Sequence, residues 1–177
     1  MQEIVLDLPL VSSVSIFSTE ESVITTHYTS EGEYQNYIIL EGVKDPFGLY
    51  LSEKIAPTYE AFHDKLSAHK VFATQLVIYI PQNIIVSLKA YSCKVKINGD
   101  FNRVAIDVKE GKIDVNATYF KGIINTVTAD VFLLGVQNKV FASTKKGQVK
   151  GPFEVEKNAS LLISSRDGNI SNISNRN

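Results

Sequence analysis

The amino-acid sequence predicts an all-β fold, a short right-handed parallel β-solenoid with coils of about 18 residues and a less regular β region before them. Two observations carry this. The first is an internal period of 18 between Val86 and Val155, since repeats of this length mark stacked architectures. Val95, Ile113, Val131 and Val149 lie 18 apart, and Ile97, Val115, Leu133 and Gly151 follow two places later. Leu88, Ile106, Ile124 and Ala142 form a second column, and Val86, Val104, Gly122 and Val140 a third. Gly111, Ala129 and Gly147 form a column of small residues, and Asn98 and Asn116 one of amides. The second observation is alternation within each repeat, as in Val104, Ile106, Val108 and then Ile113, Val115. A period of two belongs to a strand with one buried face.

Turn residues separate the two runs, as in Lys109-Glu110-Gly111-Lys112 and Lys145-Lys146-Gly147-Gln148. One repeat is therefore a strand, a tight turn, a second strand and a polar return. Such a unit closes a core only by stacking on its neighbours. At ~4.8 Å per coil, four to six coils span about 20–30 Å. Parallel crossovers are overwhelmingly right-handed, which sets the expected hand. Lys96 over Asp114 and Lys112 over Asp130 place opposite charges one coil apart, in keeping with the register.

The whole chain, 1–177, is expected to be one domain. Residues 1–85 carry irregular N-terminal strands with an insertion at 44–70, and residues 86–177 the regular coils. Val14-Ser15-Ile16, Val23 to Thr29 and Tyr37 to Leu40 have strand character, and Lys70 to Ile80 forms a long strand ending at Pro81. Asp45-Pro46-Phe47-Gly48 is a turn. Pro57-Thr58 starts either a short helix with Tyr59, Phe62 and Leu66 on one face or a strand pair. Ser160 to Ser174 is expected to add a final partial coil whose polar end closes the stack.

Composition narrows the function classes. The 177 residues are 44% hydrophobic and 21% charged, which suits a globular domain with a real core. No apolar run approaches the ~18–20 residues of a membrane-spanning helix, so no transmembrane segment is expected. Met1 to Leu10 has no basic stretch before an apolar block and is not a signal peptide as it stands. A cell-surface or periplasmic site would imply a leader missing from this sequence; otherwise the protein is expected in the cytoplasm. The single Cys93 excludes an internal disulfide and suits a small buried hydrophobe.

Net charge is −1, but residues 1–85 hold 4 Lys/Arg against 11 Asp/Glu (−7) and residues 86–177 hold 14 against 8 (+6). That split can drive head-to-tail association. Arg103, Lys121, Lys139 and Lys157 are all basic and 18 apart, so they must splay at an exposed corner. They are the candidate ligand-binding residues, a ridge for an acidic polysaccharide or other anion. Only Phe101, Tyr119 and Phe120 lie nearby to stack bases, so nucleic acid is not expected.

Catalytic and metal signals are weak. His63 and His69 are six apart, beside Glu60, where a helical metal pair prefers a spacing of four. Gly-x-Ser-x-Gly, a phosphate loop and the calcium nonapeptide are absent from the sequence. Asp107, Glu110 and Asp114 are the candidate acids for a polysaccharide-active enzyme of this architecture. No catalytic residue, metal or cofactor is expected.

The run Leu76-Val77-Ile78-Tyr79-Ile80-Pro81, then Val86-Ser87-Leu88-Lys89-Ala90, then Gly-Lys-Ile-Asp-Val and Asp-Gly-Asn-Ile, resembles the bacterial putative-adhesin families. These are a repetitive β domain of unknown function and the related auto-transporter adhesin head domain of Bacteroidetes. The resemblance covers 70–175 well and the N-terminal part loosely, and this sequence departs in carrying Asp130 where other repeats carry Gly, or Ala129 one place earlier. It implies a non-catalytic solenoid acting in cell-surface or envelope-associated binding, with a glycan or envelope component as partner. A self-associating intracellular scaffold is the alternative, and a polysaccharide-active enzyme the third reading.

Overall fold

The structure is a computed structural model and describes residues 2–31, 38–56, 73–155 and 158–173. The described residues are all-β, and the expected helix or strand pair after Pro57 lies outside them, as do Glu60, His63 and His69. Fourteen strands are formed among the described residues: β1 (Glu3–Leu8), β2 (Ser13–Thr19), β3 (Thr25–Glu31), β4 (Ile38–Lys44), β5 (Gly48–Ile55), β6 (Ala73–Pro81) and β7 (Ile85–Asn98). They continue as β8 (Phe101–Asn116), β9 (Phe120–Thr126), β10 (Asp130–Leu134), β11 (Val140–Thr144), β12 (Val149–Lys150), β13 (Leu161–Ser165) and β14 (Ile170–Ile173). They make one large mixed sheet that does not close.

The sheet has two wings. The first runs β11-β13-β9-β8-β7-β1-β5-β4. The second runs β12-β14-β10-β8-β7-β2-β6-β3. β7 and β8 serve both, because each bends midway. In β7 the buried residues are Val86, Leu88, Ala90, then Cys93, Val95 and Ile97. The step of three from Ala90 to Cys93 skips exposed Tyr91 and Ser92, so the chain turns a corner while both halves keep an apolar face inward. One apolar cluster lies between the wings, with Ile4, Leu6, Val86, Val104 and Ile124 from one and Val14, Ile78, Val95, Ile113 and Val131 from the other. Each such side chain contributes about 1.5–3 kcal/mol on burial, against ~0.2–1 for an exposed cross-strand pair. Apolar columns, not charges, therefore set the register.

That register is the one the 18-residue period implies. Val86 lies beside Val104, Lys96 beside Asp114, and Asn98 beside Asn116. Lys112 lies beside Asp130, and Val104 beside Gly122. Lys112 also pairs within its strand with Asp114 at 2.7 Å and stands over the Phe132 ring at 4.6 Å. The corner needs Gly111: its φ is +112°, and a Cβ there would lie 2.2 Å from the Cys93 carbonyl oxygen.

The order of coils at the two ends departs from the expected sequential stacking. Leu161, not Val140, lies on Gly122, and Val140 lies on Leu161. Likewise Ile170 is seated between Val131 and Val149. The final coil, β13–β14, is thus inserted between β9–β10 and β11–β12 and does not close the stack. Apolar content explains the exchange. Leu161, Ile163 and Ile170 are fully buried, whereas both residues of β12 are exposed. The coil with two good apolar faces takes the interior place, and the poorer one takes the edge. There Lys145, Lys146 and Lys150 are exposed on or beside the short β12, residues that discourage further pairing.

The opposite end repeats the device. β1, with Ile4, Leu6 and Leu8 buried, lies between β5 and β7. The stretch read from sequence as an interruption at 44–70 therefore contains β5, which adds a parallel strand to β1. β4 and β3 then close the two wings as antiparallel edges. The Asp45 turn between β4 and β5 is held by Asp45 Oδ1, which accepts the Phe47 and Gly48 N–H groups at 2.8 and 2.7 Å.

Candidate binding site

The return loops, where each second-wing strand leads back to the first wing, gather along one edge of the stack. Their backbone groups leave the ladders and need other partners. Asp100 Oδ1 accepts the N–H groups of Thr118 and Tyr119 at 2.7 and 2.8 Å. Asn138 Oδ1 accepts the Phe120 N–H at 2.8 Å, and its Nδ2 donates to the Phe120 carbonyl at 3.0 Å and to Ser160 Oγ at 2.8 Å. Beneath these loops the buried Phe101 and Phe120 rings meet edge-on, with centroids 6.5 Å apart. The loops are therefore a braced surface.

Along this edge runs a polar groove of about 910 Å³. Gly99 and Asp100 line it from the loop after β7, and Asn116 to Thr118 from the loop after β8. Gly135 to Lys139 border it after β10, with Val140 of β11, Pro152 to Glu154 follow β12, and Ser18 of β2, Gln82 after β6 and Asn172 of β14 complete it. Asn172 stands in an otherwise apolar column: Ile97, Val115 and Leu133 precede it in neighbouring coils. It is 7% exposed. Its Nδ2 donates to the Pro152 carbonyl at 3.0 Å, and its Oδ1 has no hydrogen-bond partner among the described residues.

The basic column lies beside this edge, on the outer face of the first wing. Arg103 and Lys121 immediately precede the neighbours Val104 and Gly122. Arg103 falls within a register shift between Phe101 and Val104, which lets the two like charges splay. Ser160 comes next: its carbonyl accepts the Gly122 N–H at 2.9 Å, and its N–H donates to the Lys139 carbonyl at 3.1 Å. Lys139 therefore stands one coil further out than its spacing implies, with Ser160 between it and Lys121. All three described cations are exposed, and Lys139 also lines the groove. Lys157 lies outside the described residues.

The three candidate acids do not converge. Asp107 faces outward from the first wing, Glu110 is at the corner, and Asp114 faces outward from the second wing in its pair with Lys112. Among the described residues no three His, Cys, Asp or Glu are grouped as a metal site, and no helix is long and apolar enough to cross a membrane. Cys93 is 2% exposed, and burial pushes its thiol up to about 12. A second buried polar centre is Glu53, whose Oε2 accepts the Leu10 N–H at 2.8 Å and whose Oε1 accepts the Tyr28 hydroxyl at 2.9 Å. Burial holds its carboxyl above the usual glutamate value despite these bonds, and burial beside Glu53 raises the Tyr28 phenol.

The groove itself is not legible as a site in the sequence. The only signal is that strand ends carry Asn, at Asn98, Asn116 and Asn172. Asn172 falls in the neighbouring column of Ile97, Val115 and Leu133, a placement the sequence does not show because its distance from Leu133 is not a multiple of 18.

The described residues thus form an all-β stack with braced return loops and a polar groove along one edge. No family model and no curated protein matches the chain. A crystal structure described as a putative cell adhesion protein from Clostridium sporogenes is similar, with a TM-score of 0.64 and 16% identity over 97% of this chain and 92% of that one. A putative adhesin from Bacteroides fragilis matches at a TM-score of 0.35 and 11% identity over 98% and 93%, a likeness too low to bear on the fold. The name of the Clostridium structure matches the family that the sequence resembles.

Proposed function

We propose that this chain is a β-solenoid binding module of adhesin type, non-catalytic and acting at the cell surface or envelope on a glycan or other envelope component. The observation that carries the reading is the polar groove along the braced return-loop edge. The solenoid assignment is supported by parallel neighbours 18 residues apart in β7, β8, β9 and β10, and the right hand by the general crossover rule. The adhesion name of the Clostridium structure points the same way. Arg103, Lys121 and Lys139 form the ridge that takes an acidic substituent of the partner.

The test is incubation of the protein with purified envelope polysaccharides, measuring both saturable binding and release of reducing ends. The expected result is binding without release, weakened by salt and by Arg103→Glu with Lys121→Glu when the polysaccharide is acidic. Turnover that disappears on replacing Asp107, Glu110 and Asp114 establishes the enzyme reading instead.

A second reading, end-to-end self-association as a scaffold, is favoured by the charge split, because β1 to β6 supply one end of the stack and carry the acidic half. Sedimentation velocity at low and high salt decides it: salt-sensitive oligomers support it, and a salt-insensitive monomer removes it.

A further inference from the structure

We infer that the return-loop groove is a subsite for a neutral polyhydroxyl chain, an oligosaccharide laid along the stack, with the Asn172 amide at its floor. The inference rests on the binding reading above and names its ligand chemistry and location.

The lining of the groove points to the ligand, and Asn172 marks its floor. An amide in a core column, where Ile97, Val115 and Leu133 are its counterparts, forfeits apolar burial. Its Nδ2 bond to Pro152 fixes the amide, which leaves Oδ1 buried and without a partner among the described residues. An unpaired buried acceptor is destabilising. The amide is thus kept at the groove floor at a cost to the fold, which marks the position for a role other than packing.

The walls offer matching chemistry. Asn116, Thr118 and Gln137 are exposed along the groove. Amides and a hydroxyl both donate and accept, as sugar hydroxyls do. Asp100 and Glu154 outnumber the single cation, Lys139, so the groove itself does not attract a polyanion. Half-buried Phe153 adds an apolar surface for the C–H face of a sugar ring. Most of the lining residues come from the ends of β7, β8, β10, β14 and β12, five neighbouring coils, with Ser18 and Gln82 beyond β7. At ~4.8 Å per coil this is about 20 Å, the reach of several sugar units in a row.

The experiment is an array of neutral and acidic oligosaccharides probed with the intact chain, followed by calorimetry on the hits. Two double variants are compared, Asn116→Ala with Gln137→Ala in the groove and Arg103→Glu with Lys121→Glu on the ridge. Both alter exposed side chains, while Asp100 and Asn138 keep the loops braced. The expected result is a neutral oligosaccharide among the hits whose affinity falls at least tenfold in the groove variant and less than twofold in the ridge variant. Neutral binding that the groove variant leaves intact overturns the inference. Hits confined to acidic glycans and lost only in the ridge variant also overturn it, while leaving the adhesin-like reading standing. An array with no hits removes both.

Discussion

Gly122 gives the sharpest test of how closely the coils approach. Its φ is +141°, and a Cβ built there lies 1.9 Å from the Val104 carbonyl oxygen. Gly122→Ala meets two separate costs. Holding a residue with a side chain in a glycine-only backbone region costs of order 1–3 kcal/mol. The contact is with backbone in the β8 ladder, so relief requires the coils to part. That sacrifices at least one ladder hydrogen bond, about 0.5–1.5 kcal/mol, and loosens packing around Val104. The sum is about 2–4 kcal/mol. At 2–4 °C per kcal/mol for a domain of this size, melting falls by roughly 4–16 °C. Gly135→Ala is the control: φ is +76°, and the nearest atom to its Cβ, the Ala117 carbonyl oxygen, is 3.4 Å away. Only the left-handed backbone cost of ~1–2 kcal/mol applies there. Urea and thermal unfolding followed by far-ultraviolet circular dichroism give both values. A Gly122→Ala protein no less stable than Gly135→Ala refutes the packed ladder drawn here.

Three further outcomes follow from single side chains. Asn138→Ala leaves the buried Phe120 N–H and carbonyl without their side-chain partners, so urea unfolding is expected to shift by about 2–4 kcal/mol, and an unchanged midpoint contradicts the bracing role. Cys93, buried and raised to about 12, is expected to resist a disulfide reagent at pH 8 until the chain unfolds, and rapid labelling of the native protein contradicts its placement. Glu53 has a folded-state pKa above its unfolded value, so the native state holds its proton more tightly. Its contribution to stability is therefore greatest at low pH and declines as pH rises from the ordinary glutamate range through the raised value. Glu53→Gln is expected to flatten that part of the stability–pH curve, and an identical slope in the variant rules the assignment out.

Much of the fold is legible because period 18 and period 2 arise from different physics that agree. Alternation fixes which residues of β7 and β8 point inward, and the 18-residue spacing fixes which of them touch between coils. Val86, Val104 and Gly122 are therefore read correctly as one column. The same column fails at Val140, because spacing gives phase and not order. The β11–β12 coil has the phase of its predecessors, but Leu161, Ile163 and Ile170 bury better between two neighbours than Ala142 and Val149 do. A competition between coils for the interior is a property of the whole stack, which no local pattern encodes. The site is hidden for the same reason. Lys121 and Lys139 share a spacing but are parted by Ser160, and the groove draws on loops from Gly99 to Asn172 that meet only when the coils are stacked in their actual order.

The most direct measurement is nuclear magnetic resonance mapping of the bound glycan on the isotopically labelled chain. The account predicts that amide shifts on titration gather in the return loops, at Gly99–Asp100, Asn116–Thr118, Gly135–Lys139 and Phe153–Glu154, with Asn172 affected at the floor. Shifts gathered on the outer faces of the two wings, around Val5 and Ala105 or Lys96 and Phe132, with the return loops unmoved, would contradict it.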